Sequence, residues 1–228
     1  MELRERIRVK LHNSEEEKDA LIDNSKEPLI ERPVLNEISF SVGPGELVVV
    51  IGPVGCGKST LLSTLLGETS LVKGQVRSRG TFALVEQEPS VFSKTVRENI
   101  LFGKQEDPRR LAEVLRVCEL EADLAQLQCG LDTLVGEGGL NISGGQRARL
   151  ALALACYSDS DCYLLDDLLS AVDAKVARSL LSNCIRGYLR DRAIVLVTHQ
   201  LNILPEATRI LVLDRYGYPS FYGTPEAF

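Results

Sequence analysis

Hydrophobic positions follow two patterns along the chain. Apolar and polar residues alternate over 3–12 (LRERIRVKLH) and 34–42 (VLNEISFSV), which predicts two half-buried strands. Continuous apolar runs are typical of parallel strands that are buried on both faces. Five such runs begin at positions 46, 81, 162, 193 and 209: ELVVVIG, TFALVE, CYLLDD, AIVLVT and RILVLD. The pattern therefore predicts an α/β fold with a parallel sheet.

A mostly helical stretch separates TFALVE from CYLLDD and includes DPRRLAEVLRVCELEADLAQL at 107–127. We interpret it as an α-helical subdomain, at roughly 88–157, inserted into a single domain that covers 1–228. The link at 13–28 carries six acidic and two basic residues, which favours a variable, solvated surface loop over a regulatory insert.

Composition and charge argue against several classes of function for this chain. With 26 basic and 32 acidic residues, the chain of 228 residues has a net charge of -6, which gives no electrostatic footprint for nucleic acid. The six cysteines include no CxxC pair and are accompanied by only two histidines, so they are expected to be reduced thiols rather than zinc ligands. The chain lacks both an apolar run of about 18 to 20 residues and an apolar signal core, so any membrane contact should go through another chain or segment.

Residues 52–60 (GPVGCGKST) match the phosphate-binding pattern G-x-x-x-x-G-K-[ST] between a predicted buried strand and a helix expected at about 58–66. In this context a chance glycine turn is the weaker interpretation. Glycines let backbone N–H groups converge on phosphates at a helix N-terminus, Lys58 adds a positive charge, and the Ser59 hydroxyl reaches Mg²⁺. The predicted nucleotide contacts are Gly52, Pro53, Val54, Gly55, Cys56, Gly57, Lys58, Ser59 and Thr60.

Two adjacent aspartates end the apolar run YLLDD. Asp166 is predicted to lie on the magnesium side of the phosphates, as the acid that completes such a site. Asp167 stands where a nucleotide hydrolase needs its general base, but an acid here could equally cap or brace the following loop. Both roles remain open for Asp167.

The segment Asn141-Ile-Ser-Gly-Gly-Gln-Arg-Ala-Arg149 resembles the LSGGQ signature of ATP-binding-cassette (ABC) proteins. Its residues also predict that Ser143 caps a helix while Gly144 and Gly145 present N–H groups to an anion. Other ABC motifs occur in order: Gln87 resembles the Q-loop glutamine, 170–173 (SAVD) the D-loop, and Thr198-His199 the switch histidine. The resemblance spans 34–228 and is greatest to the first cassette of the C subfamily, as in ENILFG, SGGQRAR, YLLDD, VTHQL and SFYGT.

This resemblance implies a P-loop NTPase (RecA-like) core with an N-terminal antiparallel β subdomain and an inserted α-helical subdomain. It implies ATP and Mg²⁺ as cofactors, with Ser59, Gln87 and Asp166 near the metal and Asp167, His199 and Gln87 in catalysis. The signature residues Ser143, Gly144, Gly145 and Gln146 would contact ATP held by a second nucleotide-binding domain in a head-to-tail dimer. The chain would be a transport-coupled ATPase, weak in isolation, at the cytoplasmic face of a membrane.

The segment 86–102 would transmit the motion, with Phe92 or Phe102 either meeting a cytosolic loop of a transmembrane domain or packing in the core. Phe40, Tyr157 and Tyr163 are expected in the core.

The sequence departs from the family pattern at several positions. Only His12 stands where an aromatic residue usually stacks on adenine, and Ser90, Leu168 and Gly138 also replace usual residues. Asp167 replaces the usual glutamate, which predicts a slow site.

Two alternatives remain. One is an ATP-gated regulatory or channel domain with little turnover. The other is a soluble ABC ATPase of DNA repair or translation, which is disfavoured because the roughly 55 residues before the signature show no sustained heptads and the net charge is -6.

Overall fold

The computed structural model describes residues 7–11, 34–136 and 141–228, with backbone alone at 7–11. His12, the acidic segment 13–28 and Gly138 lie outside the described residues, so the expectations for them remain predictions.

Eleven strands are described: β1 (Ile7–Leu11), β2 (Ser39–Val42), β3 (Leu47–Ile51), β4 (Gly74–Arg77), β5 (Phe82–Val85), β6 (Lys94–Thr95), β7 (Leu134–Val135), β8 (Cys162–Asp166), β9 (Ala193–Val197), β10 (Arg209–Leu213) and β11 (Pro219–Gly223). The α-helices are α1 (Lys58–Leu66), α2 (Val96–Leu101), α3 (Pro108–Val117), α4 (Glu121–Leu124), α5 (Gly144–Ser158) and α6 (Ala174–Ser179). A π-helix covers Leu180–Tyr188, and short 3₁₀ helices cover Gly130–Asp132, Leu168–Ala171, Leu201–Glu206 and Pro225–Ala227.

The main sheet has six strands in the order β11-β10-β3-β9-β8-β5. All neighbouring pairs are parallel except β10 and β11, which are antiparallel. A separate antiparallel sheet has the order β2-β1-β4. This arrangement confirms the predicted α/β class, with a parallel core and an N-terminal antiparallel part.

Helices cover both faces of the main sheet. Because successive side chains of a strand point to opposite faces, Leu47 and Val49 pack into one apolar cluster, while Val48 and Val50 pack into the other. The first cluster contains the buried side of α5, and the second contains the buried side of α1. The helix after the glycine loop and the helix after the signature therefore lie on opposite faces of the sheet.

Several elements differ from the pattern that predicted them. The strand predicted over 34–42 begins only at Ser39, because the residues before it are tied to the turn between β10 and β11. The Asn36 N–H donates to Gly217 O at 2.9 Å, and its side-chain amide donates to Tyr216 O at 2.8 Å. The short strands β4, β6, β7 and β11 and the π-helix were not predicted.

Some of the aromatic side chains are buried as predicted, and others are exposed. Phe40, Tyr157 and Tyr163 are buried, which confirms their assignment to the core. Phe92 and Phe102 are 47% and 61% exposed, so the interpretation that they pack in the core is wrong. Among the described helices, none combines the length and the apolar character needed to cross a membrane.

Candidate nucleotide-binding site

Four chemistry-bearing segments follow four neighbouring parallel strands. The glycine loop follows β3, Thr198-His199 follows β9, the aspartate pair ends β8, and Gln87 follows β5. These strands are adjacent in the order β3-β9-β8-β5, and parallel strands present their carboxyl ends at one edge of a sheet. The fold thus brings the four predicted segments to one edge, where α/β proteins bind ligands.

The glycine loop turns sharply between a fully buried strand and α1. Gly55 and Gly57 have φ of 79° and 99°, in the left-handed region that favours glycine. A Cβ at Gly57 would lie 2.8 Å from Leu35 Cδ2, so a larger residue would displace the loop. The first turn of α1 has no acidic residue, and no described side chain caps it. Its backbone N–H groups and the positive end of the helix dipole are therefore available to an anion.

Lys58 folds back across the loop that precedes it. Its Nζ donates to Gly52 O at 2.9 Å and to Pro53 O at 2.8 Å, and the residue is 7% exposed. These acceptors are neutral carbonyls, and in the described part of the chain no carboxylate pairs with Lys58. The positive charge is thus held at the loop without being neutralised by an acid.

The two aspartates are both buried, Asp166 at 8% and Asp167 at 6% exposure. Asp167 has a φ of 44°, which is uncommon for a residue with a side chain. Its backbone is fixed, because its N–H donates to Val197 O at 3.0 Å and its carbonyl accepts from Ser170 Oγ at 2.7 Å. Its side chain does not cap the following 3₁₀ helix. The main chain of Asp167, rather than its carboxylate, braces the loop.

One oxygen of the Asp167 carboxylate can accept a hydrogen bond but receives none from the described residues. Oδ1 is buried and has no hydrogen-bond partner among the residues that the structure describes. A buried polar atom without a partner is costly, and in native proteins such atoms commonly serve a bound water, ion or reacting group. The carboxylate is therefore suited to a ligand at this edge.

The residues at this edge fit Mg²⁺ and a nucleotide phosphate. Helix α1 packs against β8, so the helix carrying Ser59 lies beside the strand carrying Asp166. A hydroxyl and a carboxylate supply the oxygen ligands that Mg²⁺ prefers. The open N-terminus of α1 and Lys58 supply the positive charge that a phosphate requires.

Gln87 and His199 lie at the rim of the same edge, and both are exposed. The backbone of the switch segment is anchored, since the Thr198 N–H donates to Val50 O at 3.1 Å. Gln200, which the sequence did not single out, donates its side-chain amide to Leu169 O at 3.1 Å. This bond ties the histidine segment to the loop after Asp167, and only the polar character of THQ after a buried strand could have signalled it.

The signature segment forms the start of α5. Ser143 caps the helix in a capping box, since its Oγ accepts from Gln146 N at 3.2 Å and its N–H donates to Gln146 Oε1 at 2.8 Å. This confirms the predicted cap. The Gln146 amide also donates to Asp123 Oδ1 at 2.9 Å, and Asp123 pairs with Arg149 at 2.6 Å. The turn is therefore held rigidly by side chains.

The two signature glycines differ in their surroundings. A Cβ at Gly145 would lie 2.9 Å from Ala171 O, whereas at Gly144 the nearest described atom is Arg147 Nη2 at 3.9 Å. Gly145 therefore permits close packing on the D-loop, and Gly144 faces open space. Since α5 and α1 lie on opposite faces of the sheet, the structure does not place the signature beside the glycine loop of the same chain.

Comparison with known proteins gives consistent matches. A family profile described as ABC transporter matches residues 35–170. Human ATP-binding cassette sub-family C member 4 is 51% identical over 183 residues, which is 80% of this chain and 14% of that protein. A multidrug resistance protein of Leishmania tarentolae is 44% identical over 216 residues, 94% of this chain and 14% of that protein. The chain thus spans about one-seventh of the length of these curated relatives.

Proposed function

Because this chain belongs to the ABC transporter family and to its C subfamily, we propose that it binds Mg·ATP and, with a partner cassette, couples ATP binding and hydrolysis to transport across a membrane. The observation that carries the proposal is the sheet edge where the open N-terminus of α1, the un-neutralised Lys58 and a buried carboxylate meet. The membrane-spanning segments and the partner cassette, most simply the second of two, would belong to other parts of the transporter.

In this proposal each group at the edge has one task. Backbone N–H groups of 52–60 and Lys58 bind the phosphates, and Ser59, Gln87 and Asp166 hold Mg²⁺. Bound Mg²⁺ would neutralise charge that develops on the phosphate oxygens. Asp167 orients and deprotonates the attacking water, and His199 senses the terminal phosphate from the rim.

The placement of the signature supports a composite site. Ser143, Gly144, Gly145 and Gln146 lie on α5, across the sheet from α1. We propose that they contact ATP bound by the partner cassette, while the partner's signature completes the site on this chain. Two cassettes arranged head to tail would then hold ATP between them, and hydrolysis would release them.

The identity and conformation of Asp167 support a slow site on this chain. Its side chain is one methylene shorter than the glutamate of fully active ABC sites, and its backbone is fixed by two hydrogen bonds. A general base must come within about 2.6 to 3.2 Å of the water that it activates. Because the fixed backbone cannot advance to make up the missing bond length, we expect the carboxylate to deprotonate water poorly.

Phe92 and Phe102 support a contact with a transmembrane domain. Their ring centroids are 5.3 Å apart, and both are well exposed. The Asn99 side chain fixes Phe92 through hydrogen bonds of 2.9 Å to its N–H and 3.0 Å to its carbonyl. We propose that this exposed aromatic pair meets a cytosolic loop, which would place the chain at the cytoplasmic face of a membrane.

The first test of this function is nucleotide binding by the Lys58→Ala variant. Because Lys58 is the buried cation at the loop, its loss should weaken Mg·ATP binding at least tenfold in titration calorimetry. Lys73→Ala removes the same charge at an exposed position before β4 and is the matched control. Unchanged affinity in a Lys58→Ala chain that still unfolds cooperatively would contradict the proposed site.

A further inference from the structure

Three cysteine side chains meet inside the helical layer on the α5 face of the sheet. Cys156 Sγ lies 4.0 Å from Cys118 Sγ and 3.5 Å from Cys184 Sγ, and all three sulfurs lie within 4.8 Å of one another. Each residue is 0% exposed. We call these residues the thiol cluster. None of them lies at the edge of the main sheet where the glycine loop and the aspartate pair meet.

The cluster is assembled from three separate elements. Cys118 is the C-cap of α3, Cys156 lies near the end of α5, and Cys184 lies within the π-helix. The π-helix is a rare conformation that is frequently found at functional sites. Here a π-helix nine residues long carries the third sulfur to the other two.

The spacing of the sulfurs is that of ligands around one ion. In a triangle with sides of 3.5, 4.0 and at most 4.8 Å, the point equidistant from the corners lies about 2.0 to 2.4 Å from each. A bond between a thiolate and a metal such as zinc is about 2.3 Å long. A metal ion can therefore contact all three sulfurs with little movement of the chain.

A positively charged side chain lies close to the cluster. The Arg110 guanidinium donates to the carbonyl of Cys156 at 3.3 Å and lies 3.4 Å from Asp159. Its Nε is buried and has no hydrogen-bond partner in the described part of the chain. Arg110 is thus paired with Asp159 beside the cluster and keeps one donor unused.

We propose that the thiol cluster binds a monovalent, thiophilic metal ion, Cu(I), through the sulfurs of Cys118, Cys156 and Cys184. Soft thiolate ligands select Cu(I), zinc and iron–sulfur clusters. Iron–sulfur clusters are usually held by four cysteines. Structural zinc sites need four ligands, and among the described residues no histidine, cysteine or carboxylate adds a fourth to these three. Three sulfurs alone satisfy Cu(I), which is stable with three thiolate ligands.

Binding forms three Cu–S bonds and releases to the solvent any thiol protons that the sulfurs carried, and no electron is transferred. The ion would join α3, α5 and the π-helix, so a loaded chain should resist unfolding better than a metal-free one. This inference does not depend on ATP binding. Failure of the Lys58→Ala test would leave it untouched, and its own failure would not affect the proposed function.

The test is titration of the reduced, anaerobic chain with Cu(I) against a competing Cu(I) chelator, in a Cys129→Ser background that removes the exposed thiol. We expect one Cu(I) per chain. X-ray absorption at the copper edge should show three sulfur neighbours at about 2.3 Å and no nitrogen or oxygen neighbour. Zn²⁺ added under the same conditions should bind more weakly.

The variants Cys156→Ala and Cys184→Ala should each lower Cu(I) affinity at least a hundredfold. Cys162→Ala, which removes a buried cysteine that stands apart in β8, should leave the affinity unchanged. Equal Cu(I) binding by Cys156→Ala and the parent, or tighter binding of Zn²⁺ than of Cu(I), would overturn the proposal. If the alanine variants do not fold, the absorption spectrum of the parent decides alone, and a copper environment other than three sulfurs overturns the assignment.

Discussion

At the scale of single residues, Asp167 is subject to two different demands, one from the backbone conformation and one from catalysis. Its φ of 44° lies in the left-handed region, where aspartate and asparagine occur several times more often than most residues with side chains. The fixed backbone therefore favours aspartate, while fast catalysis in this family favours glutamate. A compromise between these demands would account for the slow, ATP-retaining site that we propose.

The slow-site assignment predicts unequal effects of two substitutions on total ATPase activity in the complete transporter. Asp167→Asn should lower the activity only modestly, because this chain's site contributes little turnover. Gly144→Asp should nearly abolish it, because a carboxylate on the signature would repel the partner's ATP. The glycine faces open space, so this variant should still fold. Steady-state ATPase rates, with expression and thermal unfolding as controls, measure both effects.

A third variant lengthens the side chain at position 167. Asp167→Glu should raise turnover, because the carboxylate moves one bond length nearer the water and misplacement of that order can cost about a hundredfold in rate. If Asp167→Asn removed as much activity as Gly144→Asp, Asp167 would be a working base and the slow-site assignment would be wrong.

Local motifs made the glycine loop, the acidic pair and the Ser143 cap predictable, because each needs only a few neighbouring positions. The left-handed backbone of Asp167 was not predictable, since it arises from a hydrogen bond to Val197 in another strand. Nor was the thiol cluster, whose members are 38 and 28 positions apart and show no metal-binding spacing.

At the scale of elements, two helices begin with a capping box but lie in different surroundings. Ser143 and Gln146 form a capping box at α5, and Thr95 and Glu98 form one at α2. Each capping residue satisfies a backbone N–H of the first turn, which stabilises a helix by about 1 kcal/mol. Only the box at α5 belongs to the surface that we propose to face the partner cassette.

This difference predicts distinct consequences for two matched variants. Ser143→Ala and Thr95→Ala should each lower the free energy of unfolding by about 1 kcal/mol in urea titrations. Ser143→Ala should also weaken ATP-dependent association with the partner cassette, measured by sedimentation, whereas Thr95→Ala should not. Equal association of the two variants would mean that the signature turn does not face bound nucleotide.

Elements with strong local patterns were also the predictable ones. Strands β3, β8, β9 and β10 are continuous apolar runs, and α1 begins and ends where the glycine loop and Gly67 require. The strands β6 and β7 are two residues long, too short to show a period. The π-helix escaped prediction because its side-chain pattern does not differ enough from that of an α-helix.

At the scale of the whole molecule, the separation of the glycine loop and the signature across the sheet predicts a weak enzyme in isolation. The isolated chain should sediment mainly as a monomer, and its net charge of -6 opposes self-association. Because the proposed composite site needs two chains, turnover per chain should be low and should rise with protein concentration. Robust turnover that is independent of concentration would contradict the composite site.

The order of strands in the main sheet has a consequence for how the protein is made. Strand β9, residues 193–197, lies between β3, which leads into the glycine loop, and β8, which ends in the aspartate pair. A ribosome therefore releases the loop and both aspartates well before the strand that sets them side by side. Until β9 has emerged and inserted, the growing chain carries the groups that we propose to bind ATP but not the frame that unites them, so ATP should aid folding only after this strand is in place.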